Sequence, residues 1–256
     1  MPQEDVYATR KKIIFVLEQL KIYAHQTPNP IKVLDFGCGN AADMGQFIIR
    51  EGYDYCGLDI HEPSLTYAKT QFAAPHARFC TEIGPDEKFD VLILSEVLEH
   101  LTTPHEILSD LVHKHLNKGG IVIGSVPNGY GLTEIEKFIN QRLGLYVAIR
   151  GIVRAIRFIL GRPIQPNSPG KNADGLPYNH ASGHVQFYTK PALRRVAQSA
   201  GLDYAAFQNG SLMGADLSGV TIFRIKPLIK LNTWIAKFLP AWAAATWHFV
   251  FKPTGN

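Results

Sequence analysis

The stretch Val33-Leu34-Asp35-Phe36-Gly37-Cys38-Gly39-Asn40-Ala41 constrains this chain more than any other. A short apolar run ends in an acid, and a turn carrying two glycines follows. Residues 42–50 then place Met44, Phe47 and Ile48 on one helical face. Strand, glycine turn and helix open a doubly wound α/β sheet that binds a nucleotide-like ligand. Gly37 and Gly39 let the backbone turn sharply and approach a ligand with no Cβ in the way. The helix start offers free N–H groups beside it.

Periodicity and turn residues extend this frame. A helix is expected over residues 4–26, with Val6, Ile13, Ile14, Val16, Leu17 and Leu20 at near-helical spacing. Strands are expected at 32–36, 53–59, 77–80, 89–94 and 121–126, with helices over 42–51, 63–72 and 104–116 between them. The even alternation stops after Pro127-Asn128-Gly129. Residues 129–183 read as one insertion, rich in Pro, Gly and Asn over 161–178. A helix from Thr189 to Ala200, a strand at 203–208 and a strand at 220–224 follow. The chain closes with apolar, basic segments at 228–239 and 241–251.

Two cofactor classes use the strand, turn and helix. Dinucleotide enzymes carry G-x-G-x-x-G; here the spacing is Asp35-x-Gly37-x-Gly39-x-Ala41. This resembles motif I of the class I S-adenosylmethionine-dependent methyltransferases, with Ala41 where that family has a third glycine. Asp59 ends the second strand about twenty residues on, where an acid accepts ribose hydroxyls in either class. The string from Phe89 through Gly120 to Val126 resembles the second half of the methyltransferase core, so the likeness covers about residues 31–127. The branch it resembles is that of the ubiquinone-biosynthesis O-methyltransferases. Nothing in the chain matches the catalytic lysine, tyrosine or histidine arrangement of a dehydrogenase.

The resemblance implies a Rossmann-like, seven-stranded, mostly parallel sheet with helices on both faces, in a single domain over 1–256. It implies S-adenosylmethionine over Gly37, Gly39 and Ala41, with Asp59 on the ribose, Ile60, Glu82 and Ile83 near adenine, and Asp35 or Ser95 near the methionine part. The insertion at 129–183 would form a substrate lid. The acceptor would be a small molecule, with O-methylation of a lipid- or glycan-linked hydroxyl as the expected reaction.

Glu96, Glu99 and His100 follow the fourth strand, at the sheet edge where ligands gather. If the chain turns helical at Glu96, the two carboxylates and the imidazole share one face and suit Mg²⁺ or Zn²⁺. E-x-x-E-H with a later histidine resembles metal-assisted O-methyltransferases, which implies Glu96, Glu99, His100 and His184 as ligands. The other reading keeps Glu99 as a polar support, with His100 or His184 as the base that deprotonates the acceptor.

Net charge is +4, but its distribution is uneven. Lys137 to Ala173 holds seven Lys or Arg and no acid, and no acid follows Asp216. The stripe Arg150, Arg154 and Arg157, and the tail at 227–256 with Trp234, Trp242 and Trp247 among lysines, fit either a lid or a peripheral membrane surface. Three cysteines at Cys38, Cys56 and Cys80 have no zinc spacing and read as core residues of a cytoplasmic protein. Neither a signal-peptide run nor a membrane-spanning run is expected. Two other functions fit the same residues. One is RNA terminal 2′-O-methylation, although no RNA-binding module is evident and nucleic acid is the less expected partner. The other is a non-catalytic cofactor-binding partner protein.

Overall fold

The computed structural model describes the chain apart from residues 1, 3, 6, 28–29, 145–146, 149–150, 153–158, 160–175, 178, 180–182, 215–225 and 256. Helix α1 (Thr9–Gln26) leads into β1 (Lys32–Phe36), α2 (Gly45–Arg50), β2 (Asp54–Leu58), α3 (Glu62–Gln71) and β3 (Ala77–Cys80). Then come β4 (Phe89–Ser95), a 3₁₀ turn (Leu98–His100), α4 (Pro104–His115) and β5 (Leu116–Pro127). Helices α5 (Leu132–Leu143) and α6 (Lys190–Ser199) precede β6 (Leu202–Asn209), α7 (Lys226–Ile235) and β7 (Thr246–Pro253).

The seven strands form one sheet in the order β3-β2-β1-β4-β5-β7-β6. The five strands from β3 to β5 are parallel, and β7 runs antiparallel to both β5 and β6. This is the expected Rossmann-like sheet. Strands buried on both faces need unbroken apolar runs, and β4 supplies one. Ile93 faces the layer of α1, α2 and α3, packed with Ile13, Leu20 and Ile48. Leu92 and Leu94 face the other layer, with Leu108 of α4, Leu193 of α6, and Trp247 and Phe249 of β7.

Most expected elements stand within a few residues of their places. Helix α6 is capped as its sequence suggests: the Thr189 side chain accepts from the Ala192 N–H, and Pro191 lies in its first turn. The last strand is the exception. The residues 220–224 expected to form it lie outside the described ones, and the seventh strand is Thr246–Pro253. Within the tail at 227–256, the stretch around Trp247 is therefore a sheet strand between β5 and β6, and Trp247 is buried. Its alternation of aromatic and aliphatic residues is masked in the sequence by the lysines around it. The partners that Trp247 pairs with, Val126 and Asn209, lie far from it in the sequence.

The insertion at 129–183 opens with α5; the arginine stripe Arg150, Arg154 and Arg157 lies outside the described residues. The three cysteines carry free thiols, with Cys56 and Cys80 neighbours on adjacent strands. Among the described residues, no helix is long and apolar enough to cross a membrane.

Candidate active site

The carboxyl ends of β1, β2, β4, β5 and β6 meet the amino end of antiparallel β7 along one edge of the sheet. Gly37, Gly39, Ala41, Asp59, Glu96, Glu99 and His100 follow the carboxyl ends of β1, β2 and β4 on loops that the sheet holds in place. The turn after β1 is built from left-handed residues: Gly37 has φ +75°, Gly39 +54° and Ala41 +58°. A Cβ on Gly37 would stand 2.7 Å from Val97 Cγ2, whereas one on Gly39 would meet nothing within 4 Å. Gly37 is thus required by packing. Gly39 leaves its backbone open, as a cradle for a ligand needs. Ala41 keeps the backbone conformation for which the related motif uses glycine.

The Gly37 and Cys38 N–H groups donate to the Leu58 carbonyl and tie this turn to the end of β2. Asp59 adds a clamp: Oδ2 accepts from the Gly39 N–H at 2.7 Å and Oδ1 from the His61 N–H at 2.8 Å. Both loops that flank the ligand position are therefore held by one carboxylate. Ile60, beside it, is an apolar side chain 85 % exposed. Pro177, from the insertion, receives the Asn40 amide at 3.0 Å and the Ser64 hydroxyl at 3.4 Å. The insertion thus touches the rim of the turn.

Asp35 lies beneath the turn. It is buried, and its Oδ2 accepts from the Tyr55 hydroxyl at 2.7 Å. Its carboxylate is held by Tyr55 at the end of β1, next to the turn. Burial pushes its pKa up to about 6, against the opposing Tyr55 hydrogen bond and with help from Asp59. The unfolded chain releases this proton near 3.8 and the folded one near 6, so stability falls as pH rises through that window. At about 1.4 kcal/mol per pH unit, ionised Asp35 costs about 3 kcal/mol at neutrality. In Asp35→Asn the side chain cannot ionise. Urea titrations should show its stability, relative to the parent, improving by about 2–3 kcal/mol between acid and neutral pH. An unchanged difference would refute this assignment.

The segment after β4 is arranged differently from the expected helix at Glu96. Glu96 has φ +56°, and the 3₁₀ turn starts only at Leu98. Its Oε1 accepts from the Ser125 hydroxyl at 2.6 Å and lies 3.8 Å from Lys12 Nζ. Glu96 is therefore not part of the tight cluster formed by the other three. Ligand atoms of Glu99, His100 and His184 all lie within 4.8 Å of one another. His184 arrives through backbone bonds: the Val185 and Gln186 N–H groups both donate to the Glu99 carbonyl, at 2.9 and 3.0 Å. The Tyr188 hydroxyl holds the same segment to the Leu98 carbonyl. His100 and His184 stack edge to face with centroids 4.9 Å apart, and His100 Nδ1 meets the Gly183 carbonyl at 3.1 Å.

Glu99 is fully buried; among the described residues neither carboxylate oxygen makes a hydrogen bond, and Oε1 lies 3.8 Å from His100 Nε2. Burial, and then the charge of Glu96, drive its pKa well up. Burial, and then His100, push the His184 imidazole down from its usual value. A buried carboxylate without partners is costly unless a cation or proton meets it. Beside this cluster lies a cavity of about 310 Å³, lined among others by Lys12, Glu96, Thr133, His184, Ser211 and Thr246. The hydroxyls of Ser211 and Thr246 are buried there without hydrogen-bond partners among the described residues. Lys12, Ser211 and Thr246 were not among the sequence candidates, because nothing local marks them; α1, β6 and β7 bring them together.

Of the remaining candidates, the Ser95 hydroxyl sits 3.2 Å from that of Ser125, next to Glu96. Glu82 is exposed and lines a separate hollow of about 290 Å³ between α3 and β3, with Glu62 and Lys69. Ile83 packs against the α4 side of the sheet.

This fold and edge define a class I S-adenosylmethionine-dependent methyltransferase. Comparison with known proteins agrees: a family model described as "Methyltransferase domain" matches residues 9–206, and the chain belongs to that family. The mRNA cap guanine-N(7) methyltransferase of Schizosaccharomyces pombe is 34 % identical over 127 residues, covering 42 % of this chain and 35 % of that protein. The ubiquinone biosynthesis O-methyltransferase of Glaesserella parasuis is 27 % identical over 131 residues, covering 45 % and 55 %. The chain thus spans about a third to a half of the length of these curated relatives. Magnesium protoporphyrin IX methyltransferase from Synechocystis, solved with S-adenosylhomocysteine, superposes with a TM-score of 0.56 at 14 % identity, covering 96 % of this chain and 84 % of that one. A 1,6-didemethyltoxoflavin-N1-methyltransferase from Burkholderia thailandensis gives 0.54 at 16 % identity, covering 98 % and 80 %. These structures share the fold.

Proposed function

We propose that the enzyme O-methylates a hydroxyl of a small acceptor bound in the cavity beside Glu99, His100 and His184. The observation that carries this reading is the buried Glu99 carboxylate, with no side-chain hydrogen bond among the described residues and 3.8 Å from His100 Nε2, clustered with two imidazoles at the edge of that cavity. S-adenosylmethionine, once bound, would supply a methyl group on a sulfonium: the acceptor oxygen forms the O–C bond in line as the C–S bond breaks and S-adenosylhomocysteine leaves. The cradle of Gly37, Gly39 and Ala41 fits such a cofactor, with Asp59 beside the ribose and Ile60 against the adenine. Ile83 stands as the further adenine candidate. Glu82 keeps its place in the proposal as a loop carboxylate able to accept from the adenine amino group.

The acceptor oxygen must lose its proton. Glu99, His100 and His184 offer one carboxylate and two imidazoles, a donor set suited to Zn²⁺ or a similar divalent cation. A cation there would stabilise the developing oxyanion. Without one, His184 is the base: its depressed pKa leaves it neutral near pH 7, and it borders the cavity. Ser211 and Thr246 supply unfilled hydrogen-bonding capacity for a polar acceptor.

The test is transfer of labelled methyl from S-adenosylmethionine to cell extract, with and without chelator, followed by solvent partition. Protein-dependent label in the organic phase supports a lipid-linked acceptor, and label in the aqueous phase a glycan or other soluble one. Loss with chelator and recovery with Zn²⁺ or Mg²⁺ supports the cation. The cap methyltransferase likeness favours a nucleotide acceptor as a second reading. Competition by single-stranded RNA would then replace the small-molecule reading. For the cofactor, Asp59→Ala is expected to weaken S-adenosylhomocysteine binding by roughly tenfold to a hundredfold, from loss of charge-assisted hydrogen bonds. Calorimetry showing unaltered affinity would remove Asp59 from the site.

A further inference from the structure

A second basic feature adjoins the acceptor cavity and takes no part in the chemistry above. Lys12 lines that cavity, but its neighbour Lys11 lines two hollows of about 540 and 390 Å³ near the end of β6. Lys11, Lys190, Lys237, Phe207 and Gln208 line the larger one, with no carboxylate among the described residues. The smaller one shares Lys11, Gln208 and Lys237, and adds Arg10, Lys230 and Trp234 against the acids Glu4 and Glu18.

The cations are held in place. Lys11 Nζ donates to the carbonyls of Asn209, Gly210 and Thr233 at 2.6, 2.8 and 3.1 Å. This fixes a positive charge at the junction of α1, β6 and α7. Lys190 Nζ stands 3.8 Å from the centre of the Phe207 ring, a cation–π contact that leaves its outer side available. Among the described residues, no salt bridge engages Lys190, Lys230 or Lys237. Burial, and then the nearby Lys237, pull the Lys11 ammonium down to about 8 against the charge of Glu4.

The same element carries an apolar surface. Trp234 and Phe238 stack edge to face at 5.0 Å and are 54 % and 71 % exposed. Leu231 is exposed on the same helix, and Trp242 on the next turn. Soluble domains seldom leave such aromatic pairs uncovered beside fixed cations unless a surface meets them. Lysines with indole rings suit the headgroup layer of an anionic bilayer, where each finds its preferred depth. Exposed Leu231 and Phe238 favour that layer over a nucleic-acid backbone, which gives an aliphatic chain nothing to stack on.

We propose that this cleft docks the phosphate headgroup of an anionic phospholipid, with Trp234 and Phe238 seated in the interfacial layer. Docking there places the neighbouring acceptor cavity at the membrane surface. It does not depend on which atom is methylated.

The test is co-sedimentation of the full chain with phosphatidylcholine vesicles, with and without phosphatidylglycerol. Salt-sensitive binding to the anionic vesicles is expected. Lys237→Glu and Lys190→Glu should each weaken it by roughly fivefold or more, from the loss of a cation near the surface. Trp234→Ser with Phe238→Ser should weaken it while leaving its salt dependence in place. S-adenosylhomocysteine affinity and melting temperature of each variant certify the fold; Glu at position 190 suits the first turn of α6. Calorimetry with inorganic pyrophosphate and with an oligoribonucleotide completes the set. Binding to either of these in place of vesicles overturns the lipid assignment. Absence of vesicle binding, or binding that survives both charge reversals, also overturns it.

Discussion

Glu99→Ala is expected to lower methyl transfer by about a hundredfold or more while leaving S-adenosylhomocysteine affinity within about twofold. The carboxylate sits in the cluster with His100 and His184, and the glycine turn is held by Asp59 and Leu58 without it. Removal also relieves a buried carboxylate whose oxygens have no hydrogen-bond partner among the described residues. The variant should therefore be at least as stable as the parent, a combination that distinguishes a functional acid from a structural one. Glu99→Gln sharpens the result. It keeps the shape and removes the charge, so it should be as inactive as alanine if the charge holds a cation or an imidazolium. Near-parental activity in the glutamine variant, or lost cofactor binding in either, would show that Glu99 serves packing alone. Single-turnover rates and calorimetry measure both quantities on the same preparations.

Trp247→Ala should destabilise the protein by about 3–5 kcal/mol, the usual cost of removing a large buried aromatic side chain. Trp247 is 1 % exposed, pairs with Val126 on one side and Asn209 on the other, and donates from Nε1 to the Ala241 carbonyl at 2.8 Å. Trp247→Phe keeps most of the packing and should lose less, chiefly the hydrogen bond and some volume. Equilibrium denaturation measures both; a loss under about 1 kcal/mol for alanine would mean that the strand contributes little to the sheet. The contrast with Trp234 and Trp242 is instructive. All three tryptophans share one lysine-bearing tail, yet two are exposed and one is among the largest side chains buried in the core. Composition treats them alike; strand pairing separates them.

The glycine turn and the acid that clamps it are legible because their signals are local. An apolar run, two glycines and a helix, then an acid about twenty residues on, each impose their conformation over a few residues. Asp59 and Gly39 meet because parallel neighbours β1 and β2 end together, which the alternation of strand and helix already implies. The acceptor side depended on contacts between distant segments. His184 reaches Glu99 through backbone bonds spanning 85 residues or more, and Ser211, Thr246 and Lys12 converge from three elements. Glu96 departs from its expected helical face because its left-handed backbone turns it toward Ser125 and Lys12.

By itself, then, the sequence determined the doubly wound class, the positions of β1 to β5 and the glycine turn, since local sterics and periodicity decide those. Only the tertiary structure decided that the tail supplies β7 and that Asp35 is buried against Tyr55. It also decided that Glu99 is left buried beside two histidines. Those outcomes depend on which distant surfaces meet and exclude water, and no window of neighbouring residues contains that information.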